Sequence, residues 1–256
     1  PAPNLLTKVD NGLGRVIHIA YKSSLQFRLA DAAAGTPWPD PVPTPMQVVA
    51  SITVENSLGN STRTEFHYHD GYYHPTELFF TGFGRVDVLA QGGAGAPSRV
   101  DRYTFDVGRD IFELQGSLLH HSAETEEGGV FWEETNTYAA PVLATGVDGT
   151  EIRFPQCVAA EKTLLELGNG TPKKTRTETS YDAYGNEIEV RQWGVVEEGH
   201  PEADGDERIE TLLESLSKLI AQEIADAPDN FESQSIKRLD EMLSELRSFG
   251  TCQFWR

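Results

Sequence analysis

The sequence predicts a mainly β protein, with antiparallel strands followed by a C-terminal α-helical hairpin. Short runs rich in β-branched and aromatic residues alternate with clusters of Gly, Pro, Asn and Asp over most of the chain. The spacing of apolar residues then changes from a period of two to one of about 3.6. An acidic stretch separates the patterns. We therefore expect a β segment over residues 1–194, a linker over 195–207 and a helical hairpin over 208–256.

The first strands are predicted from their β-branched residues. Residues 16–21 and 47–54 are such runs, and Leu58-Gly-Asn60 predicts a hairpin into a strand at 61–68. Five prolines among residues 36–45 exclude pairing there, so this segment should lie extended over a surface. Further hairpin turns are predicted at Glu127-Gly-Gly129, Asp148-Gly149 and Asn169-Gly170.

Two aromatic runs punctuated by glycine, at 68–73 and 80–86, are the most distinctive local feature. In the first run, Asp70 and Gly71 predict a tight turn, because glycine accepts a positive φ without steric cost. In the second, large side chains alternate with glycines, which predicts a bent strand or a close backbone approach. The structural residues of the two runs are His69, Asp70, Gly71, Tyr72, Tyr73, Gly82, Phe83, Gly84 and Arg85.

The composition argues against several classes of protein. A formal charge of −19 opposes nucleic-acid binding, and the basic cluster Lys173-Lys174-Thr-Arg176 is better explained as the polar face of a strand. The two cysteines are far apart in the sequence, which argues against a disulfide framework and against a cysteine metal site. There is no apolar run of about 18 residues, so we expect no membrane span. Residues 1–6 lack the pattern of a signal peptide.

The best set of metal-ligand types consists of His67, His69, His74 and Glu77. His67 and His69 are two apart on a strand and should point the same way, and a turn would bring His74 near them. No second motif supports a metal site, so we expect neither a metal nor a cofactor. The sequence also lacks a Gly-x-Ser-x-Gly elbow, a P-loop and an HExxH motif, which favours a protein without catalytic residues.

The C-terminal quarter carries two apolar stripes at helical spacing, separated by Pro228-Asp-Asn230. The two helices share one interface. The remaining apolar surface either packs against the sheet, binds a partner chain or forms a dimer. The candidate partner-binding residues are Leu212, Leu216, Leu219, Leu239, Leu243 and Leu246.

A series of motifs extends over about residues 3–208 in a fixed order. Besides the two aromatic runs, it comprises Pro3-Asn-Leu-Leu6, Asp10-Asn-Gly-Leu-Gly14, Tyr21, Gly35-Thr-Pro-Trp-Pro39, Val48-Val49, Leu114-Gln-Gly-Ser-Leu118, Glu134-Thr-Asn-Thr-Tyr138, Tyr181-Asp-Ala-Tyr-Gly-Asn186 and Gly205-Asp-Glu-Arg208. In this order and spacing the chain resembles the middle region of the insecticidal toxin-complex B component. That region is shared with SpvB-type virulence proteins and belongs to the wider Rhs/YD-repeat shell family.

The resemblance implies a structural role. In that family, YD-repeat strands wind into a hollow β cocoon around a toxic polypeptide, and a C component completes the shell. It implies a curved sheet, and it implies shell segments, the C component and toxin cargo as partners in a secreted assembly. Tyr181, Asp182, Gly185 and Asn186 match one YD repeat, in which Gly185 and Asn186 tolerate positive φ.

Two other functions stay open at this stage. The first is a stand-alone binding module for a glycan or a cell-surface protein, using Trp38, Tyr72, Tyr73 and Trp132. Core packing competes with this use, because large aromatics in strands usually face the core. The second is a metal-dependent hydrolase at the His67 cluster.

Overall fold

A computed structural model of the chain describes residues 4–92, 97–168 and 171–196. The chain divides into two compact units, Pro1–Glu178 with Gln192–Glu207, and Thr179–Arg191 with Arg208–Arg256. Strand pairing continues to Val196, two residues past the expected end of the β segment. The rest of the expected linker and the helical hairpin, with its six candidate leucines, lie outside the described residues.

The described residues form thirteen strands, one α-helix and two short 3-10 helices. The strands are β1 Lys8–Asp10, β2 Val16–Ser23, β3 Gln47–Glu55, β4 Ser61–His74, β5 Phe79–Ala90, β6 Arg99–Phe105, β7 Leu118–Glu124, β8 Val130–Ala139, β9 Val142–Thr145, β10 Glu151–Arg153, β11 Gln156–Leu164, β12 Lys173–Tyr181 and β13 Glu187–Val196. The α-helix, α1, is Ser24–Ala33, and the 3-10 helices are Phe112–Leu114 and Glu166–Gly168.

Eleven strands form one sheet in the order β1-β2-β3-β4-β5-β6-β7-β8-β11-β12-β13. Strands β9 and β10 form a separate hairpin, inserted in the chain between β8 and β11. The neighbours from β1 to β12 pair antiparallel. The predicted antiparallel, mainly β architecture is therefore confirmed for the described residues.

Five pairs of neighbouring strands in this sheet contain a register shift of the kind that a β-bulge produces. The shifts lie between β2 and β3, β4 and β5, β6 and β7, β7 and β8, and β8 and β11. A bulge bends its strand and increases the local twist. The predicted irregularity of the second aromatic run is one of these shifts, where Tyr72 pairs with Gly82 but Tyr73 pairs with Phe80.

The predicted hairpin at Leu58-Gly-Asn60 is confirmed, and its turn recurs along the chain. Residues 11–15, 56–60, 125–129, 146–150 and 182–186 each close through a hydrogen bond from the first N–H to the fifth carbonyl, 2.7–3.2 Å long. The fourth residue of each turn is a glycine with φ between 77° and 91°. In four of the turns, a side-chain oxygen of the first residue also accepts the fifth N–H.

Helix α1 contradicts the expectation of uninterrupted strands. The side chain of Ser23 caps the helix by accepting the N–H of Leu25, and Gly35 follows its end with a φ of 87°. The helix itself consists mostly of Leu, Ala, Arg and Gln, which favour helices. Its short length and its position between two β-branched strands explain why the overall strand pattern concealed it.

The proline-rich segment forms no strand, as predicted, and it packs on the sheet through Trp38. Trp38 is only 7% exposed and shares a small core with Phe27 of α1 and Ala50 of β3. The ring of Trp38 meets Phe83 edge-on at 5.9 Å between centroids. The helix and the segment together therefore cover the region around β4 and β5 with apolar side chains.

The predicted tight turn at His69-Asp70-Gly71 is wrong. These residues lie inside β4, and the positive φ of 53° belongs to Asp70 rather than to Gly71. Gly71 is needed for a different reason: a Cβ there would lie 2.6 Å from the Trp38 ring. At Gly84 a Cβ would lie 3.2 Å from the Cβ and 3.4 Å from the carbonyl oxygen of Asp70, which leaves little room for a side chain beside β4.

We predict that Gly71→Ala destabilises the protein by about 2 kcal/mol, because the added methyl group overpacks the contact between β4 and Trp38. Urea denaturation followed by circular dichroism measures the change. The same substitution in a Trp38→Leu background should cost clearly less, since the smaller side chain leaves room. Equal costs in both backgrounds would show that the Trp38 contact does not explain the glycine.

Candidate functional site: a sheet with two unlike faces

One face of the sheet carries two continuous polar rows across seven strands, β4 to β8, β11 and β12. Cross-strand partners lie side by side on the same face of a sheet. The first row is His67, Asp87, Arg102, Ser122, Glu133, Thr163 and Lys174, and the second is His69, Arg85, Thr104, His120, Thr135, Glu161 and Arg176. Every member is polar or charged, and we call this surface the polar face.

The opposite face, called the mixed face below, combines aromatic, aliphatic and charged side chains. Its rows are Phe66, Val88, Asp101, Ala123, Trp132, Leu164 and Lys173, and Tyr68, Val86, Tyr103, His121, Glu134, Lys162 and Thr175. Tyr103 stacks on His121 at 4.0 Å between ring centroids, and Trp132 meets His121 edge-on at 4.6 Å. The Lys162 ammonium lies 4.4 Å from the Trp132 centroid.

Ion pairs connect the polar face across four strands. The Asp87 carboxylate lies 3.3 Å from the guanidinium groups of both Arg85 and Arg102. Arg102 continues to Glu124 at 3.0 Å, and Ser122 donates its hydroxyl to the same carboxylate at 2.6 Å. Glu124 itself is buried, so this ion pair is shielded from solvent at its carboxylate end.

His69 connects this network to helix α1. Its Nδ1 lies 2.8 Å from Asp31 of the helix, and its Nε2 lies 3.6 Å from Asp87 of β5. The Asp31 contact has hydrogen-bond length, whereas Asp87 at 3.6 Å acts as a neighbouring charge. Asp31 also accepts the indole N–H of Trp38 at 2.6 Å. One carboxylate therefore holds the helix, the proline-rich segment and the sheet together.

The environment of His69 favours its charged form. Burial alone would lower the pKa of His69, but Asp87 and Asp31 outweigh it and raise the pKa above the ordinary value. For the acid Asp87 the directions are reversed. Burial alone would raise its pKa, but His69, Arg85 and Arg102 lower it below the ordinary value. His121 behaves oppositely, because burial lowers its pKa despite the nearby Asp101.

The structure does not assemble the candidate metal ligands. His69 is held between two aspartates, whereas His67 lies 3.8 Å from Glu65. His74 accepts the backbone N–H of Glu77 through its Nδ1 and packs edge-on against Phe112. Within residues 4–92, 97–168 and 171–196, no group of three His, Cys, Asp or Glu side chains is placed to hold a metal ion.

Two of the four candidate binding aromatics belong to the interior. Trp38 and Tyr72 are each 7% exposed, so neither presents its ring to a ligand at the surface. Tyr73 uses its hydroxyl to donate to the carbonyl of Leu78 at 2.5 Å. Only Trp132, on the mixed face, belongs to a partly exposed aromatic cluster. The competing explanation of core packing is therefore confirmed for Trp38 and Tyr72.

The predicted YD repeat has the expected local geometry. Asp182 accepts the N–H groups of Tyr184 and Asn186, each at 2.8 Å, and Gly185 has a φ of 85°. Hydrogen bonds from Asn186 lower the pKa of Asp182. The predicted positive φ is confirmed for Gly185, whereas Asn186 does not have one. The same turn frame at four other hairpins shows that this construction extends beyond the single recognisable repeat.

Sequence reasoning missed the residues that connect the polar face, chiefly Asp31, Asp87, Arg102 and Glu124. A local signal was present for part of the network. The tripeptide Arg-Val-Asp occurs at 85–87 and again at 99–101. In both copies the arginine pairs with the aspartate two residues later, on the same side of the strand. The other partners lie on different elements, which a local pattern does not reveal.

We predict that Arg102→Gln destabilises the protein by about 2 kcal/mol, because it leaves the buried Glu124 carboxylate without its cation. Arg102 is 38% exposed, which keeps the loss below that of a fully enclosed pair. Urea denaturation measures it. Arg63→Gln is the matched control, since its partner Glu65 lies on an exposed part of β4 and the loss should stay within about 0.5 kcal/mol. Equal losses for the two variants would contradict this assignment.

Comparison with known proteins agrees with the predicted resemblance. Residues 2–104 match the sequence family described as the insecticide toxin TcdB middle/N-terminal region. No curated protein matches the sequence as a relative.

Several solved structures share the fold. In the crystal structure of TcdB2-TccC3 the matching chain is 16% identical, with a TM-score of 0.66 over 76% of this chain. For TcdB2-TccC3-TEV the identity is 18% and the TM-score 0.68 over 80%. For the Tc holotoxin pore of Photorhabdus luminescens they are 15% and 0.67 over 78%. The matched regions are 12%, 13% and 12% of those chains, so this chain spans a small part of their length.

At these identities the structural likeness establishes a common fold, while the family match concerns the sequence itself. The family match includes β1 to β5, most of β6 and both aromatic runs. The predicted resemblance is therefore confirmed: residues 2–104 are similar in sequence to the middle/N-terminal region of the insecticide toxin TcdB, and the chain shares its fold with the TcdB2 structures.

Proposed function

We propose that this chain is a non-enzymatic structural segment of a toxin-complex shell. It forms part of the wall of a β cocoon that encloses a toxic polypeptide and helps to deliver it. The observation that carries the proposal is the sheet with a polar face and a mixed face across seven strands. A layer of this kind separates two environments, and each face is available to a different neighbour.

The ion network supports a role as a wall. Charged groups on the polar face are neutralised in pairs and chains, as Arg85, Asp87 and Arg102 show. Further along the same face, Glu161 pairs with Lys174 and Arg176 at 2.7 Å and 3.2 Å. These contacts join neighbouring strands through side chains in addition to the backbone ladder. The sheet thereby gains lateral support between neighbouring strands.

The bulges and turns fit a curved shell. Five register shifts increase twist along the sheet, and five hairpins close with the same turn frame. Repetition of one hairpin type lets a long sheet continue by adding similar units. The YD turn at 182–186 is the copy that most closely follows the family pattern.

The partners of this segment would be other toxin-complex components. The solved structures pair TcdB2 with TccC3, which suggests the C component and its cargo as neighbours of this chain in a secreted assembly. The region from residue 208 onward, with its predicted helical hairpin, would supply a further contact to a partner or to a second copy. No helix in the described ranges is long and apolar enough to cross a membrane.

The alternatives are less well supported. A glycan-binding module would have to work without Trp38 and Tyr72, which are buried. A metal-dependent hydrolase would need His67, His69 and His74 at one point, and the structure places them in three separate environments. The wall segment accounts for the polar rows, the turns and the family match together.

We predict that the full chain forms a stable complex with a toxin-complex C component at micromolar concentration. Size-exclusion chromatography with light scattering measures the complex and, for the chain alone, any dimer. An unrelated β-sheet protein with a similar isoelectric point near 4.7 controls for charge-driven association. A strictly monomeric chain that binds neither the C component nor its cargo would overturn the proposal.

The helical region has its own test in the same assay. Leu243→Ser should weaken the complex or the dimer if the predicted hairpin provides a contact. Ser244→Ala, on the adjacent position of the predicted helix, is the matched control and should leave association unchanged. If neither variant alters association, the helical region is not the contact, and the sheet remains as the proposed interface.

A further inference from the structure

Helix α1 and the proline-rich segment form a flap, residues 24–45, whose two ends meet. The N–H of Ser24 donates to the carbonyl of Met46 at 2.7 Å, and the N–H of Met46 donates to the Ser24 hydroxyl at 3.0 Å. These two bonds close the base of the flap beside β2 and β3. Because these bonds lie outside the β2–β3 ladder, opening of the flap about its base would leave that ladder intact.

Away from its base, the flap is held by apolar contacts and by charges. Phe27 and Trp38 pack in the small core, and Arg109 pairs with Asp40 of the flap. The remaining polar attachment is Asp31, which binds His69 of the sheet and the indole of Trp38. Asp31 of α1 thus links the helix to β4 through His69 and to the proline-rich segment through Trp38.

Both ring nitrogens of His69 face carboxylates, Asp31 on one side and Asp87 on the other. A neutral imidazole has one N–H and one lone pair, so it would direct its lone pair at a carboxylate. The doubly protonated imidazolium has an N–H for each. The charged ring therefore presents an N–H to each carboxylate, whereas the neutral ring that donates to Asp31 turns a lone pair towards Asp87.

The other charged groups around His69 are cations, and Arg85, its cross-strand partner, opposes the charge of the ring directly but is outweighed by the two carboxylates. Arg85 of β5 and Arg102 of β6 each lie 3.3 Å from the Asp87 carboxylate. They neutralise Asp87 whether or not His69 is charged. Asp31 has no such second cation among its contacts in the described residues. The charge of His69 consequently matters most for its bond to the flap.

We propose that His69 is a pH-operated clamp that holds the flap closed as an imidazolium and weakens when the ring loses its proton. Loss of the clamp would uncover the aromatic surface of Phe27, Trp38 and Phe83 beside β4. The device belongs to the fold of this segment and does not depend on assembly into a shell.

The sign of the effect follows from the raised pKa of His69. The stabilisation is fully present below the ordinary histidine pKa of about 6.5 and is lost as the pH rises through the higher pKa of the folded state. The pKa of Asp87 is lowered, so its contribution to stability is present above about pH 3.9 and is lost as the pH falls through its lower pKa in the folded state. The flap should therefore be held most firmly in mildly acidic solution.

Hydrogen–deuterium exchange of the flap amides at about pH 5.5 and about pH 8.5 tests the clamp across the range in which histidine titrates. Rates are corrected for intrinsic exchange and referred to strand β8 of the same chain. We expect protection of residues 24–45 to fall severalfold at the higher pH in the wild type. His69→Gln should abolish this pH dependence.

His18→Gln is the matched control, because the ring of His18 on β2 pairs with Glu55 of β3 rather than with a residue of the flap. It should keep the wild-type response. A wild-type flap with equal protection at both pH values, or a His69→Gln variant that keeps the response, would overturn the proposal. If His69→Gln does not fold, ¹⁵N NMR of the wild-type imidazole decides: a titration midpoint at or below about 6.5 contradicts the clamp.

Discussion

The register of the strand ladder from β4 to β12 is the constraint on which the rest of the structure depends. Side chains alternate between faces with a period of two, so a slip of one residue would exchange the polar and mixed faces. In each of the six successive strand pairs from β4 to β12, the partners in the polar rows lie opposite each other, even where a bulge inserts a residue. The faces, the ion network and the place of His69 beside Asp87 all follow from it.

The second determinant is how a largely single-layered sheet stabilises charge. Isolated surface ion pairs contribute little, but charges that are partly buried and share partners are held more firmly. Asp87, with two arginines and His69 around it, is the centre of such a group. Where the sheet does have a cover, at the flap, apolar packing by Phe27 and Trp38 adds to the contact between Asp31 and His69.

Much of the fold could be predicted from local signals, because strands and tight turns depend on neighbouring residues. The hairpin at 56–60 is predicted in this way from its own turn residues, whereas the YD turn at 182–186 is predicted through the family resemblance. Gly71 was assigned to a turn because its true constraint, the ring of Trp38, comes from a distant segment. The candidate site was predictable only in part: His69 was singled out, but its partner Asp31 lies 38 residues away on a helix that the strand pattern concealed.

The most direct test of the account is a measurement of strand register in solution. Interstrand nuclear Overhauser contacts in a deuterated, backbone-labelled sample report which residues face each other. The account predicts contacts between partners along the first polar row, from His67–Asp87 through Arg102–Ser122 to Thr163–Lys174. Contacts displaced by one residue between any of these strand pairs would place polar and apolar side chains on the same face. That result would contradict the separation of the sheet into a polar face and a mixed face.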